Sequence, residues 1–299
     1  MANLWIFAAL IGAIAQTGRN ATQAGLTKAI GTVGATQVRF LFGLPFALLF
    51  FAAMPWLTGD ALPTVTLPAL VFTAIGALAQ IAGTALMLQT MKSQAFGVTT
   101  AWLKSEPVMV AVIGALILGD HLSSGGLAAI GVAMLGVMIL TLKPGLGRAM
   151  FRETGPAALG ILAGLMFGIA AVGFRGGIVN LATGGFLIRA TTTLALALTI
   201  QTATLLIWMA LMDRTALRAS FSVWRMSLTA GFLGAFASEC WFIGFSLTSA
   251  ANVRTLALVE VIFAQFVSFY MFRQAVTRRQ LAGMAVILLG VALLLRSQS

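Results

Sequence analysis

Long stretches without a single charged residue recur from one end of this chain to the other. Residues 40–59, 61–91, 122–142, 154–174 and 190–212 contain no Asp, Glu, Lys or Arg. About 20 apolar residues in a helix cross the roughly 30 Å of hydrocarbon in a bilayer. Only 8% of the 299 residues are charged and 60% are hydrophobic; soluble domains carry roughly 25% charged residues. No polar region is large enough for an extramembrane domain. The composition therefore predicts an all-α integral membrane bundle from end to end.

The formal net charge is +11. In a soluble protein that excess would suggest nucleic acid. Here the basic residues sit at helix ends and in short loops, where they set topology and meet anionic lipid head groups. The partners expected are a lipid bilayer and a small-molecule substrate, with no nucleic acid. Cys240 is the single cysteine and His121 the single histidine. No internal disulfide, metal site or bound cofactor is expected. No basic region precedes the first apolar segment and no small-residue cleavage site follows it, so it does not read as a removable signal peptide.

Ten segments follow from the apolar runs and the turn residues between them: 4–27, 33–54, 67–90, 96–118, 123–142, 155–176, 185–212, 223–246, 250–272 and 277–295. Pro55 and Thr58-Gly-Asp60 close the second, and Gly119-Asp-His121 separates the fourth from the fifth. Residues 143–154 form a polar linker. Residues 1–142 and 155–299 are then two five-segment halves.

The halves repeat one another. Glu106 and Glu260 lie 154 positions apart, each inside the fourth segment of its half. Arg19 matches Arg175, Arg39 matches Arg189, Leu127-Ala128 matches Leu281-Ala282, and Gly136 matches Gly290. Several matches in the same order argue for duplication. An odd number of spans per half inverts the second copy, the arrangement by which many secondary transporters build a site at the membrane midplane. Gly160, Gly164 and Gly168 share one face of the sixth segment, the spacing of close helix packing in lipid.

Numbering the loops alternately puts 11 of the 18 Lys and Arg residues on one side and Arg296 alone on the other; six lie in or beside the segments. Positive charge favours the cytoplasmic face, so both termini are expected outside the cytoplasm.

Polar residues inside the segments carry the functional signal, because each must face a partner or water. The candidates for substrate binding are Gln16, Asn20, Gln80, Thr84, Trp102, Glu106, Glu239, Trp241 and Glu260. Arg19, Arg39, Arg175 and Arg189 either meet a substrate carboxylate or lock the bundle by snorkelling and binding carbonyls. The glutamates also admit a structural reading, as bonds to neighbouring helices. The tryptophans admit one as interface anchors. Glu239 has no counterpart in the first half, which favours a specific role. Nothing supports an enzyme: the one histidine falls in a loop, and no nucleotide-binding glycine loop occurs.

The run Ala35-Thr-Gln-Val-Arg39-Phe-Leu-Phe-Gly-Leu, then Glu106-Pro107 with Leu118-Gly-Asp120-His-Leu122, Gly131 and Gly136, and a degenerate copy from Glu260 to Gly290, resemble ten-helix members of the drug/metabolite transporter superfamily, of the EamA type. The family's usual Gly-Glu after the fourth helix is Gly119-Asp120 here and Arg273-Gln274 in the second copy. The resemblance implies a secondary transporter of a bacterial inner membrane, with a central cavity between inverted five-helix halves. It also implies export of amino acids or related metabolites, the YddG-type aromatic amino-acid exporters being similar in architecture. Members are commonly drawn with cytoplasmic termini, opposite to the charge distribution above. Acceptors (Glu106, Glu239, Glu260), donors (Gln16, Asn20, Gln80) and aromatic surface (Trp102, Trp241) would suit an amino acid. A buried glutamate is a candidate for proton coupling, with exchange and facilitated flow left open. Efflux of organic cations is the alternative within transport; a channel or a non-transporting scaffold is the alternative outside it.

Overall fold

The computed structural model describes residues 3–93, 103–121, 123–141, 154–272 and 276–297, and these are helical with no strand among them. In chain order the helices are α1 (Leu4–Leu41), α2 (Leu44–Thr58), α3 (Leu67–Ser93), α4 (Glu106–Leu118), α5 (Ser124–Thr141), α6 (Thr154–Val179), α7 (Phe186–Met212), α8 (Arg214–Ser222), α9 (Trp224–Leu247), α10 (Ala250–Leu256), α11 (Glu260–Phe272) and α12 (Arg278–Ser297). A 3-10 turn, Ala257–Val259, joins α10 to α11. Two compact units result, one of Met1–Leu78 with Gly173–Thr248 and one of Ala79–Val172 with Ser249–Ser299. Each takes helices from both halves of the sequence.

Most of the expected segments reappear with ends shifted by a few residues; of the fourth, residues 96–102 lie outside the described residues and its helix starts at Glu106. The first two are fused in α1 across a kink at Gly31, whose φ of 74° and ψ of 172° suit a residue without Cβ. The second ends where Gly59, at φ 72°, turns its amide back to the Pro55 carbonyl. The expected loop after α7 instead holds α8, a short helix that Asp213 caps by accepting from the Ala216 amide. Seven described helices are long and apolar enough to cross a membrane. Large side chains face outward, as a lipid environment permits; Leu116 is 81% exposed.

Lipid offers these helices no hydrophobic drive to associate, so close packing of small residues takes its place. In the first unit, Gly173 of α6 lies so near Gly76 of α3 that a Cβ there would stand 2.8 Å from the Gly76 Cα. In the second unit, α5 and α12 meet along a seam of Ala133, Gly136, Gly283 and Gly290. A Cβ on Gly136 would sit 2.6 Å from the Ile287 nitrogen, and one on Gly290 would sit 2.5 Å from the Ala133 nitrogen. Those contacts are related by the repeat, since Ala133 corresponds to Ile287 as Gly136 does to Gly290. Threonine hydroxyls inside the helices are satisfied locally: Thr17, Thr73, Thr192 and Thr255 each donate to the carbonyl four residues earlier.

Candidate functional site

The second unit gathers four charges, two of them glutamates at matched points of the repeat. α4 starts at Glu106, immediately after a turn at Lys104 and Ser105. Pro107 is the local cause: it has no amide hydrogen, so it suits only the first turn of a helix. Val108 and Met109 both turn their amides to the Ser105 carbonyl. In the second half the helix tightens to the 3-10 turn at Ala257–Val259 and resumes at Glu260. Both interruptions stand directly before a glutamate, at the same 154-residue offset. Short 3-10 segments inside helices often mark hinges.

Each glutamate is held by a cation from the opposite half of the sequence. Arg254 of α10 grips Glu106 with two nitrogens: Nε lies 2.7 Å from Oε1, and Nη2 donates to Oε2 at 2.7 Å. Lys104 pairs with Glu260. The side chains are 9% to 17% exposed, so water does little to screen them. The hydrogen bond from Nη2, with Nε close to the other carboxylate oxygen, holds the Arg254 pair in a dry setting. Glu106 also occupies the first turn of α4, where the helix dipole favours negative charge by about 0.3–1 kcal/mol.

The first unit holds the third carboxylate. Glu239, in the middle of α9, is 7% exposed. The Thr191 hydroxyl of α7 lies 2.5 Å from its Oε1, while Oε2 is buried with no hydrogen-bond partner among the described residues. Trp241 faces a different neighbour: its indole nitrogen donates to Gln16 Oε1 of α1 at 3.2 Å. Gly12 makes room for it, since a Cβ there would meet Cys240 and the Trp241 ring at 3.1–3.3 Å. Lower on the same seam, Gly234 lies against Arg19 and Arg39.

The remaining candidates take varied places. Arg19 is buried and donates to Asn20 Oδ1 at 2.8 Å; Asn20 itself is exposed. The Arg39 guanidinium lies 5.0 Å from the Phe40 ring centre. Arg175 donates to the carbonyls of Phe245 and Thr248, closing the C-terminal end of α9. Arg189 donates to the Thr183 carbonyl at 3.2 Å. Thr84 is buried and gives its hydroxyl to the Gln80 carbonyl, and Gln80 is half-buried. Trp102 lies outside the described residues. Sequence reasoning missed Lys104, Arg254 and Thr191 as partners. The first two had a readable signal, a lone cation within six residues of each repeated glutamate; Thr191 had none.

This geometry defines a polytopic membrane protein whose spans are interrupted by paired charges. Residues 155–296 match the EamA-like transporter family. One solved structure, described as the crystal structure of a protein, is similar to this chain with a TM-score of 0.71 at 16% identity, over 96% of this chain and 94% of that one. The likeness concerns the fold. A comparison with curated proteins finds no match.

Proposed function

We propose that the chain carries amino acids or related small metabolites across a membrane by alternating access. The observation that supports this most is the crossed pairing of Arg254 with Glu106 and Lys104 with Glu260 at matched helix interruptions. An amino-acid zwitterion offers one anion and one cation. It can insert into a pair, its carboxylate meeting the cation and its ammonium the glutamate, without leaving a bare charge in a dry interior, and hydrophobic or aromatic side chains suit so apolar a bundle. The matched interruptions also support two inverted repeats, residues 1–142 and 155–299. The basic loops support a bacterial inner membrane with both termini outside the cytoplasm.

Efflux of organic cations is a second reading, favoured by Glu239, whose described partner is a hydroxyl and not a cation. Uptake into proteoliposomes separates the two. The probes are a labelled amino-acid panel and tetraphenylphosphonium. Saturable amino-acid flux, lowered about tenfold or more by Glu106→Gln or Glu260→Gln, is the expected result; tenfold corresponds to about 1.4 kcal/mol. Saturable flux of the organic cation alone selects the second reading. Non-saturating flux points to a channel, and no flux at all sinks the transport reading.

A further inference from the structure

Glu239 is the intramembrane carboxylate that the charge cluster of the second unit does not use. Its surroundings contain a hydrogen-bond deficit that one proton would fill. The Thr191 hydroxyl carries a single hydrogen, yet it lies within bonding distance of two acceptors, the Leu187 carbonyl at 2.9 Å and Glu239 Oε1 at 2.5 Å. With Glu239 ionised, one hydrogen serves both. With Glu239 protonated, the carboxyl donates to Thr191 Oγ1 and Thr191 donates to Leu187. Every hydrogen then has one acceptor. Protonation also turns Oε2 from part of an anion into a neutral carbonyl, which is far cheaper to leave bare in a dry site.

The charged and titratable groups on the surrounding elements have other places. On α1, Arg19 reaches Asn20 and Arg39 lies over Phe40. On α6, Arg175 holds the end of α9, and on α7 Arg189 holds Thr183. On α9 itself, Cys240 is a buried free thiol and Arg225 stands at the far end over Trp224. The one described hydrogen bond to Glu239 comes from Thr191. A hard metal cation would need six or more oxygens, and no group of three His, Cys, Asp or Glu residues is assembled among the described residues.

We propose that Glu239 is the coupling site where the protein takes up and releases one proton in each transport cycle, with Thr191 as the residue that positions the carboxyl. The proposal rests on the transport reading above. The step is a protonation alone: the carboxylate gains a proton from water on one side, becomes a carboxylic acid, and returns the proton on the other. No other bond changes.

Infrared difference spectroscopy of the full-length protein in lipid tests the site without any substrate. The wild type should show the carbonyl stretch of a buried protonated carboxyl that titrates with pH. Glu239→Gln should abolish that band; Glu106→Gln and Glu260→Gln should leave it. Thr191→Val should keep the band and move its frequency and midpoint, and it decides the matter if Glu239→Gln does not fold. A band that survives Glu239→Gln, that is absent from the wild type, or that Thr191→Val leaves unmoved overturns the assignment. So does loss of the band on adding tetraphenylphosphonium alone, which would make Glu239 an organic-cation site. In proteoliposomes, Glu239→Gln should lose amino-acid accumulation driven by a pH gradient; retained accumulation overturns the coupling. A titrating band in a protein that moves no amino acid would remove the transport reading and leave the proton site standing.

Discussion

Arg254 and Glu106 form a buried pair whose members are worth more together than apart. Taking one away leaves the other charge unpaired in an interior that solvates it poorly, a loss of about 3–5 kcal/mol. Taking both away removes the attraction and the desolvation cost together. Glu106→Gln and Arg254→Met should therefore each lower the unfolding midpoint in detergent, and the double variant should recover most of the loss. Equal losses for single and double variants would show that the pair is not coupled. Lys104 and Glu260 invite the same cycle, with a smaller expected term. A lysine ammonium is a single point of charge, whereas Arg254 engages through two nitrogens. The glutamates themselves were legible from sequence, because a repeated acid in an apolar segment stands out. Their partners were not. The residues of one pair are 148 apart in the chain and those of the other 156 apart, and no local pattern says which cation folds against which carboxylate.

At the scale of elements, the α5–α12 seam is the clearest case of packing set by absent side chains. Gly290→Leu should separate the two helices, since even a Cβ would stand 2.5 Å from backbone of Ala133. The expected loss is about 1–3 kcal/mol from overpacking, read as a lower unfolding midpoint. Gly131→Leu is the control: nothing lies within 4 Å of a Cβ at that position, and its stability should change little. Similar losses for the two variants would mean that the seam is not close-packed. Helix ends were readable because uncharged stretches stop at charges, glycines and prolines. The interruption before Glu106 was half-readable from Pro107. The 3-10 turn at Ala257–Val259 contains neither proline nor glycine, so nothing local announces it. α8 escaped notice because it is short and polar, and its cap depends on one side chain, Asp213.

For the molecule as a whole, the charge distribution makes a prediction about sidedness. With 11 of 18 basic residues on one set of loops, both termini should be open to externally added protease in intact cells when each carries a cleavable tag. Protection of both tags until the membrane is broken would reverse the orientation. Opposite results for the two tags would mean an odd number of spans. Among the described residues, seven apolar spans correspond to expected segments other than the first, fourth and ninth, which carry Arg19, Glu106 and Glu260.

Composition and periodicity alone showed that the chain is helical, that it lives in a bilayer, roughly where the seven long apolar spans start and stop, and which acids are out of place there. A bilayer enforces those features residue by residue: every backbone amide must find its carbonyl within its own helix, and every charge needs a reason. Which cation meets which carboxylate, where a helix tightens, and that Glu239 rests on a lone hydroxyl were decided only by tertiary packing. Those features depend on distances of a few ångströms between residues far apart in the chain, and such distances exist only once the helices have packed.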